Sequence, residues 1–430
     1  MAFRKQMVPL ALVSVLVLAV GVACSSGAAP SPTAAPAKSA ATSAPAAPAA
    51  TSAPAAAATS APAAAPTKAA AASGGDIIMG ITLNVTGPTA SQGELFGNSA
   101  KLAVKQINAA GGINGKQIKL VTEDMQSTNP GALAATNKLI EQDNALVMIG
   151  SALSTQIQAV SDTVKAAGIP EATGGTAVKN TNMGNPWIFR LRPDDSVAAA
   201  AMMGYAVQDL KATKVGILHD SDAFGSGGAT LLEQYAKDQG VTVVKDLPYT
   251  ADSKDFTAQL LAIKDAGAQV IFTYCTRPED AATIERQYHD LKLPYKYVGS
   301  PSNAESDTLA LSKSAAAGDY AVIDFYPGQT PESKAYGEAY QKEYGKPMDG
   351  LSSWNYDAVE LYAKAIGAVG TNRQKIMQYI LGIHGNYTGV CGTYNFTPNG
   401  DGLHSNTVVQ IQPDDSLKFI KVVSAPVKKQ

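Results

Sequence analysis

The chain reads as an α/β protein built of two Rossmann-like lobes, and three observations predict this. From Asp76 onward, short apolar runs alternate with stretches of helical periodicity. The alternation runs through two series, with a break near Arg192-Pro193-Asp194. The 430 residues, 45% hydrophobic and 16% charged, are enough for two separate cores.

Each element follows from its own pattern. Residues 76–83 form an apolar run that predicts a buried strand, closed by the loop Asn84-Val85-Thr86-Gly87-Pro88. Residues 94–110 repeat Leu95, Ala100, Leu102, Val104 and Ile107 at helical spacing and stop at Gly111-Gly112. A strand over 117–123, a helix over 130–144, a strand over 145–150 and a helix over 154–167 complete the first series. The second series begins with a strand over 214–219, a helix over 227–239 and a strand over 241–245. A helix over 256–266, a strand over 270–274 and a helix over 279–291 follow. Strands separated by amphipathic helices imply parallel βαβ units. In open parallel sheets, ligands sit beyond the carboxyl ends of the strands. Those ends carry Thr86-Gly87-Pro88, Ser151 to Ser154, Gly174 to Thr176 and Asp220 to Gly225, and all are expected to converge on one cleft.

The first 75 residues have another character. Arg4 and Lys5 precede an apolar run from Met7 to Val22, then Ala23 and Cys24, the layout of an export signal over 1–23. Residues 24–75 hold Cys24 and then almost only Ala, Pro, Ser and Thr. Such a segment has no bulky apolar side chain to offset the entropy of ordering, so a disordered linker is expected. Its prolines favour extended conformations of about 3.1 Å per residue, giving a reach on the order of 100 Å. A passive spacer is preferred over an O-glycosylated one.

Several chemistries are disfavoured. A net charge of −2 gives no dense basic surface for nucleic acid. Gly225-Ser226-Gly227-Gly228 lacks the Gly-Lys-Ser/Thr of a phosphate loop, and Phe224 rules out a nucleophile elbow. His219, His289, His384 and His404 show no metal-ligand spacing, so neither metal, cofactor nor catalysis is expected. Cys275 and Cys391 either form a disulfide in an oxidising exterior or are buried small hydrophobes.

Val20-Gly21-Val22-Ala23-Cys24 resembles a bacterial lipobox, with Gly21 where Leu is usual. The resemblance implies a diacylglycerol on the Cys24 thiol. An ordinary signal with an incidental Cys, or an uncleaved anchor, is the alternative.

The folded part resembles the leucine/isoleucine/valine-binding family of ABC-transporter receptors, which has the type I periplasmic-binding fold. The residues that carry the resemblance run from Ile107 through Asn108-Ala109-Ala110-Gly111-Gly112-Ile113-Asn114-Gly115-Lys116-Gln117 to Ile118. Thr86-Gly87-Pro88, Gly150 with Ser154, Gly168-Ile169-Pro170, Phe189-Arg190, His219-Asp220 with Phe224-Gly225, and the run from Asn395 to Gly402 support it. The resemblance implies a three-segment hinge near Asp194, Phe325 and Leu403. One lobe then comprises 76–194 plus 326–404, the other 195–325 plus 405–423.

By the same resemblance, Ser154 donates its hydroxyl to a ligand carboxylate, and Gly174 and Thr176 supply a carbonyl and further donors. A plain N-cap suffices to explain Ser154, and a permissive turn explains Gly174 and Thr176. Gln92 and Phe224 stand where the family often has Tyr, and Thr276 replaces another aromatic. Phe224 reads equally as a ligand wall or as core. Pro301 stands where an acid commonly pairs with the ligand ammonium, leaving Glu305 or Asp222 as substitutes. The implied function is extracytoplasmic capture of a small amino acid, apolar carboxylate or amide for a membrane permease driven by a separate ATPase. A ligand sensor of the same fold, acting on a signalling partner, is the alternative.

Overall fold

The apolar run Ile77–Leu83 forms strand β1, and a computed structural model describes residues 75–424 around it. The signal, the Cys24 lipobox and the linker lie outside the described residues. Helix α1 (Ala90–Ala109) follows β1 and turns into β2 (Ile118–Asp124) through the motif that ends the helix. The turn is built by side chain and glycine together. Asn108 donates from Nδ2 to Ile118 O at 2.9 Å and accepts from Ile118 N–H at 2.8 Å, so it stands in for a strand partner. Gly112 has φ +74°, and a Cβ there would lie 2.0 Å from Lys116 O. Only glycine fits.

The first series continues with α2 (Asn129–Glu141), β3 (Val147–Ile149), α3 (Ser154–Ala167), β4 (Glu171–Thr173) and β5 (Ile188–Pro193). Their strands pair in parallel, Met79 beside Val147 and Ala172 beside Phe189. Met79, Ile81, Val147, Met148, Ile149, Phe189 and Leu191 are wholly buried, as a parallel sheet covered on both faces requires.

After β5, Asp194 caps α4 (Asp195–Gln208) through hydrogen bonds to Ser196 N–H and Val197 N–H. Then come β6 (Lys214–Asp220), α5 (Ala223–Asp238), β7 (Thr242–Tyr249), α6 (Thr257–Asp265), β8 (Val270–Tyr274), α7 (Pro278–Asp290) and β9 (Lys296–Gly299). A short 3-10 turn (Pro301–Ala304), α8 (Ser306–Ser312) and β10 (Tyr320–Ile323) complete this stretch. The chain then returns through α9 (Pro331–Tyr344), α10 (Trp354–Val369) and α11 (Arg373–Leu381), and through the hairpin β11 (His384–Thr388) and β12 (Thr393–Asn395). It ends with β13 (Asp401–Leu403), β14 (Ser405–Ile411) and β15 (Leu417–Ser424).

Two sheets organise these elements into two lobes. The first has the order β13-β5-β4-β3-β1-β2 and is parallel throughout. The second, β15-β14-β10-β9-β8-β6-β7, is parallel up to β10 and closes with antiparallel β14 and β15. The chain passes between the sheets after β5, after β10, and between β13 and β14. Helix α4 packs on α5 and β14, whereas α10 packs on α1. Cys275 and Cys391 are both free and buried in different cores, which decides for small hydrophobes over a disulfide. Burial pushes both thiols well above their ordinary range.

Candidate functional site

The turn from β3 into α3 is fixed by Ser151, whose Oγ accepts from Leu153 N–H at 2.8 Å and donates to Gln156 Oε1 at 2.6 Å. Leu153 occupies the cap position and Ser154 is the first helical residue, so the reading of Ser154 as a plain N-cap is corrected. Its Oγ accepts instead from Ala177 N–H at 3.2 Å and from Asn180 Nδ2 at 3.1 Å. A hydroxyl has two acceptor positions and one proton. With both acceptor positions engaged, the proton points elsewhere and seeks an acceptor. The first N–H groups of α3 have no intrahelical acceptor, and the helix dipole favours negative charge at the same place.

Thr176 lies on the loop after β4, which a buried guanidinium ties down. Arg190, wholly buried on β5, donates to Gly175 O at 3.2 Å, Ala177 O at 2.8 Å and Thr181 Oγ1 at 3.1 Å, and pairs with Asp401. Thr176 O accepts from Asp195 N–H at 2.9 Å. Burial pushes the Asp195 carboxyl up to about 7, against the pull of the Thr176 hydroxyl and Arg190.

Two residues along β5, on the same face as Arg190, stands Arg192. It donates to Gly174 O at 2.8 Å and pairs with Asp324 where the chain leaves β10. Burial opposes its charge, and Asp324 with the nearby Asp195 and Glu305 together more than offset this, so its pKa stays above the ordinary value.

From the second lobe, Asp222 caps α5 by accepting from Gly225 N–H at 2.8 Å. Its other oxygen accepts from Thr276 Oγ1 at 2.7 Å, which orients that hydroxyl. Phe224, in the first turn of α5, packs on Tyr274 with ring centroids 5.1 Å apart. Gln92 of α1 donates from Nε2 to Glu305 Oε2 at 3.0 Å, joining the lobes.

Gln92, Ser154, Thr176, Phe224 and Thr276 line one small cavity between the lobes, about 40 Å³, with Phe96, Arg192, Pro301, Ser302 and Leu351. Phe224 thus serves as wall and as packing together. Gly174 lies outside the lining. A Cβ there would come within 2.3 Å of the Trp354 ring, so this glycine admits the indole, and its carbonyl takes the Arg192 guanidinium. The Thr86-Gly87-Pro88 loop does not join the cavity either. It is exposed and bound to Asp124 through Thr86 Oγ1 at 2.7 Å.

Sequence reasoning missed Arg192, Phe96 and Leu351. Arg192 had a signal, a cation at the end of an apolar strand beside the break between the two series. Leu351 had none, because it reaches the cavity from a loop far along the chain.

The sequence profile of the periplasmic binding protein family matches residues 76–416. An "Amino acid binding protein" of Pseudomonas aeruginosa is 31% identical over 301 residues, covering 69% of this chain and 80% of the relative. A branched-chain amino acid transporter substrate-binding protein from Streptococcus pneumoniae, solved with isoleucine, superposes with a TM-score of 0.75 at 24% identity. It covers 81% of this chain and 100% of its own. A solute-binding protein of an R. palustris ABC transporter, solved with benzoate, gives a TM-score of 0.75 at 19% identity, covering 83% of this chain and 98% of its own. The chain therefore belongs to the periplasmic binding protein family, alongside the Leu/Ile/Val-binding proteins, as an extracytoplasmic substrate-binding protein and not an enzyme.

Proposed function

We propose that this protein captures a small carboxylate with an apolar body, an amino acid or an aromatic acid, and delivers it to a membrane permease. The observation that carries this reading is the Ser154 hydroxyl. Its oxygen is saturated by Ala177 N–H and Asn180, at the N-terminus of α3, and so it is left as a donor. Thr176 and Arg192 add donors and positive charge on the same side of the cavity. Phe96, Phe224 and Leu351 give the rest an apolar wall. Relatives of this fold solved with isoleucine and with benzoate share only a carboxylate beside an apolar body, which supports the same division. Calorimetric titration with leucine, isoleucine and benzoate tests it: at least one is expected to bind at micromolar level or better. Heats of dilution alone for all three would remove the reading.

The export signal and lipobox complete the proposal. Cleaved before Cys24 and lipidated there, the receptor is tethered at the outer face of the membrane by the Ala/Pro-rich segment. Incorporation of radiolabelled palmitate, lost in the Cys24→Ser variant, is the expected result. Equal labelling of both would exclude this anchor.

A further inference from the structure

The small cavity is too narrow for a whole amino acid. Its volume of about 40 Å³ suits a carboxylate-sized group, since one water needs roughly 10–15 Å³ on such a measure. Beside it lies a chamber of about 590 Å³, within the usual size range of ligand sites. The two share Pro301 and Leu351 as walls.

Two side-chain pairs span the boundary, and both are polarised in the same sense. Arg192 and Gln92 line the narrow part, whereas their partners Asp324 and Glu305 line the chamber. The chamber also carries Asp349, Asp414 and Asp415 among apolar residues such as Leu309, Ile323 and Met348, and no Lys or Arg. Negative charge is favoured in the narrow cavity and positive charge in the chamber beside it.

Asp415 and Glu305 each keep an oxygen without a partner among the described residues, and of the two only Glu305 is buried against a residue of the narrow cavity. Asp324 is taken by Arg192, and Asp349 accepts from Ser306 N–H at 3.1 Å and Ser352 N–H at 2.8 Å. Asp222, the other candidate for an ammonium partner, is occupied by Gly225 N–H and Thr276. Glu305 is 1% exposed, and its Oε1 has no hydrogen-bond partner among the described residues; nor does Oε1 of Gln92, 5% exposed. These two oxygens from opposite lobes mark a buried polar spot that a donor-bearing ligand fills; burial raises the Glu305 carboxyl well above its ordinary value, and a cation beside it would bring it back down.

We infer that the ligand is an extended one, with a carboxylate in the narrow cavity and an amine at its far end, bound by Glu305 and Gln92 at the mouth of the acidic chamber. This rests on the carboxylate reading above and adds the length and charge of the remainder. An α-amino acid carries both charges on adjacent atoms and cannot place them at the two ends. An ω-amino carboxylate can. Because Gln92 and Glu305 belong to different lobes, such an amine also bridges them.

The test is calorimetric titration of matched pairs, 6-aminohexanoate against hexanoate and 4-(aminomethyl)benzoate against 4-methylbenzoate, alongside leucine and benzoate. In each pair the amine is expected to bind about tenfold more tightly or better. The Glu305→Gln variant should erase that advantage. The Gln92→Leu substitution, which removes the second acceptor, should also reduce the advantage and keeps the test valid should Glu305→Gln fold poorly. Equal affinity within pairs, or an advantage that survives both substitutions, overturns this inference and leaves the carboxylate reading standing. Binding of none of the acids overturns both.

Discussion

Ser154 is made into a donor by its neighbours. The N–H of Ala177 and the amide of Asn180 both end on its oxygen, so its proton is the part of the group available to a ligand. In the proposed binding mode a carboxylate receives one charge-assisted hydrogen bond there, worth about 1.5–3 kcal/mol. Ser154→Ala should therefore weaken carboxylate binding by roughly tenfold to a hundredfold. Two buried donors also lose their acceptor, so stability should fall as well, by about 1–3 kcal/mol for each. Titration at matched thermal stability separates the two effects, and unchanged affinity would remove Ser154 from the site. The resemblance marked Ser154, but it could not tell a capping hydroxyl from a donating one. That difference lies in residues 177 and 180, which the fold brings back from beyond β4. Gly174 shows the converse. Its place in the motif was legible, yet its role is set by Trp354 and Arg192, partners that no local pattern reveals.

At the scale of elements, the sequence was most legible where propensity and packing agree. Residues 154–167 and 270–274 were read as they stand, from clear helical spacing and a continuous apolar run. Helix α5 was read from Gly227 but starts at Ala223. Its glycines looked like a loop because glycine weakens helices. Here the Asp222 cap starts the helix, and Gly225 lets it approach the strand: a Cβ there would lie 2.1 Å from Asp220 O. The four-residue shift carries Phe224 into the first turn of the helix, with Tyr274 beside its ring. Strand β7 was read as ending at Lys245 but runs to Tyr249, past Pro248, which an edge strand tolerates.

The contact of β3 with β4 supplies a pH-dependent element. Glu171 is wholly buried, its Oε2 has no partner among the described residues, and a Cβ on Gly150 would meet its Oε1 at 1.9 Å. Burial pushes this carboxyl from 4.5 up to about 8. The folded state therefore holds a proton that the unfolded state has released, and stability is lost as pH rises from about 4.5 through about 8. Glu171→Gln should change little at pH 5 and stabilise the protein by about 1–3 kcal/mol at pH 8–9. Denaturant titrations across pH check this. A variant whose stability falls with pH as steeply as the native protein's would show that Glu171 is not the group responsible.

For the whole molecule, two lobes with separate cores meet at a site to which each contributes one wall. In the proposed binding mode the first lobe supplies the donors for an anion, through Ser154, Thr176 and Arg192, while the second supplies Phe224, Thr276 and Pro301. A ligand favours lobe closure only through contacts it makes with both. The division into two αβ series was visible in the sequence, because each lobe repeats the same alternation. The antiparallel close of the second sheet was not, since it depends on pairing between distant parts of the chain, and the return of 326–404 to the first lobe was expected only from the family resemblance.

The central claim is that a carboxylate is the recognised head of the ligand. Thermal unfolding with each of leucine, benzoate and 4-(aminomethyl)benzoate, compared with its methyl ester, tests this most directly. The account predicts that at least one acid raises the midpoint, by roughly 4 °C at a hundredfold excess over its dissociation constant, while its ester does not. Esters that stabilise as well as their acids, or no stabilisation by any acid, would contradict it.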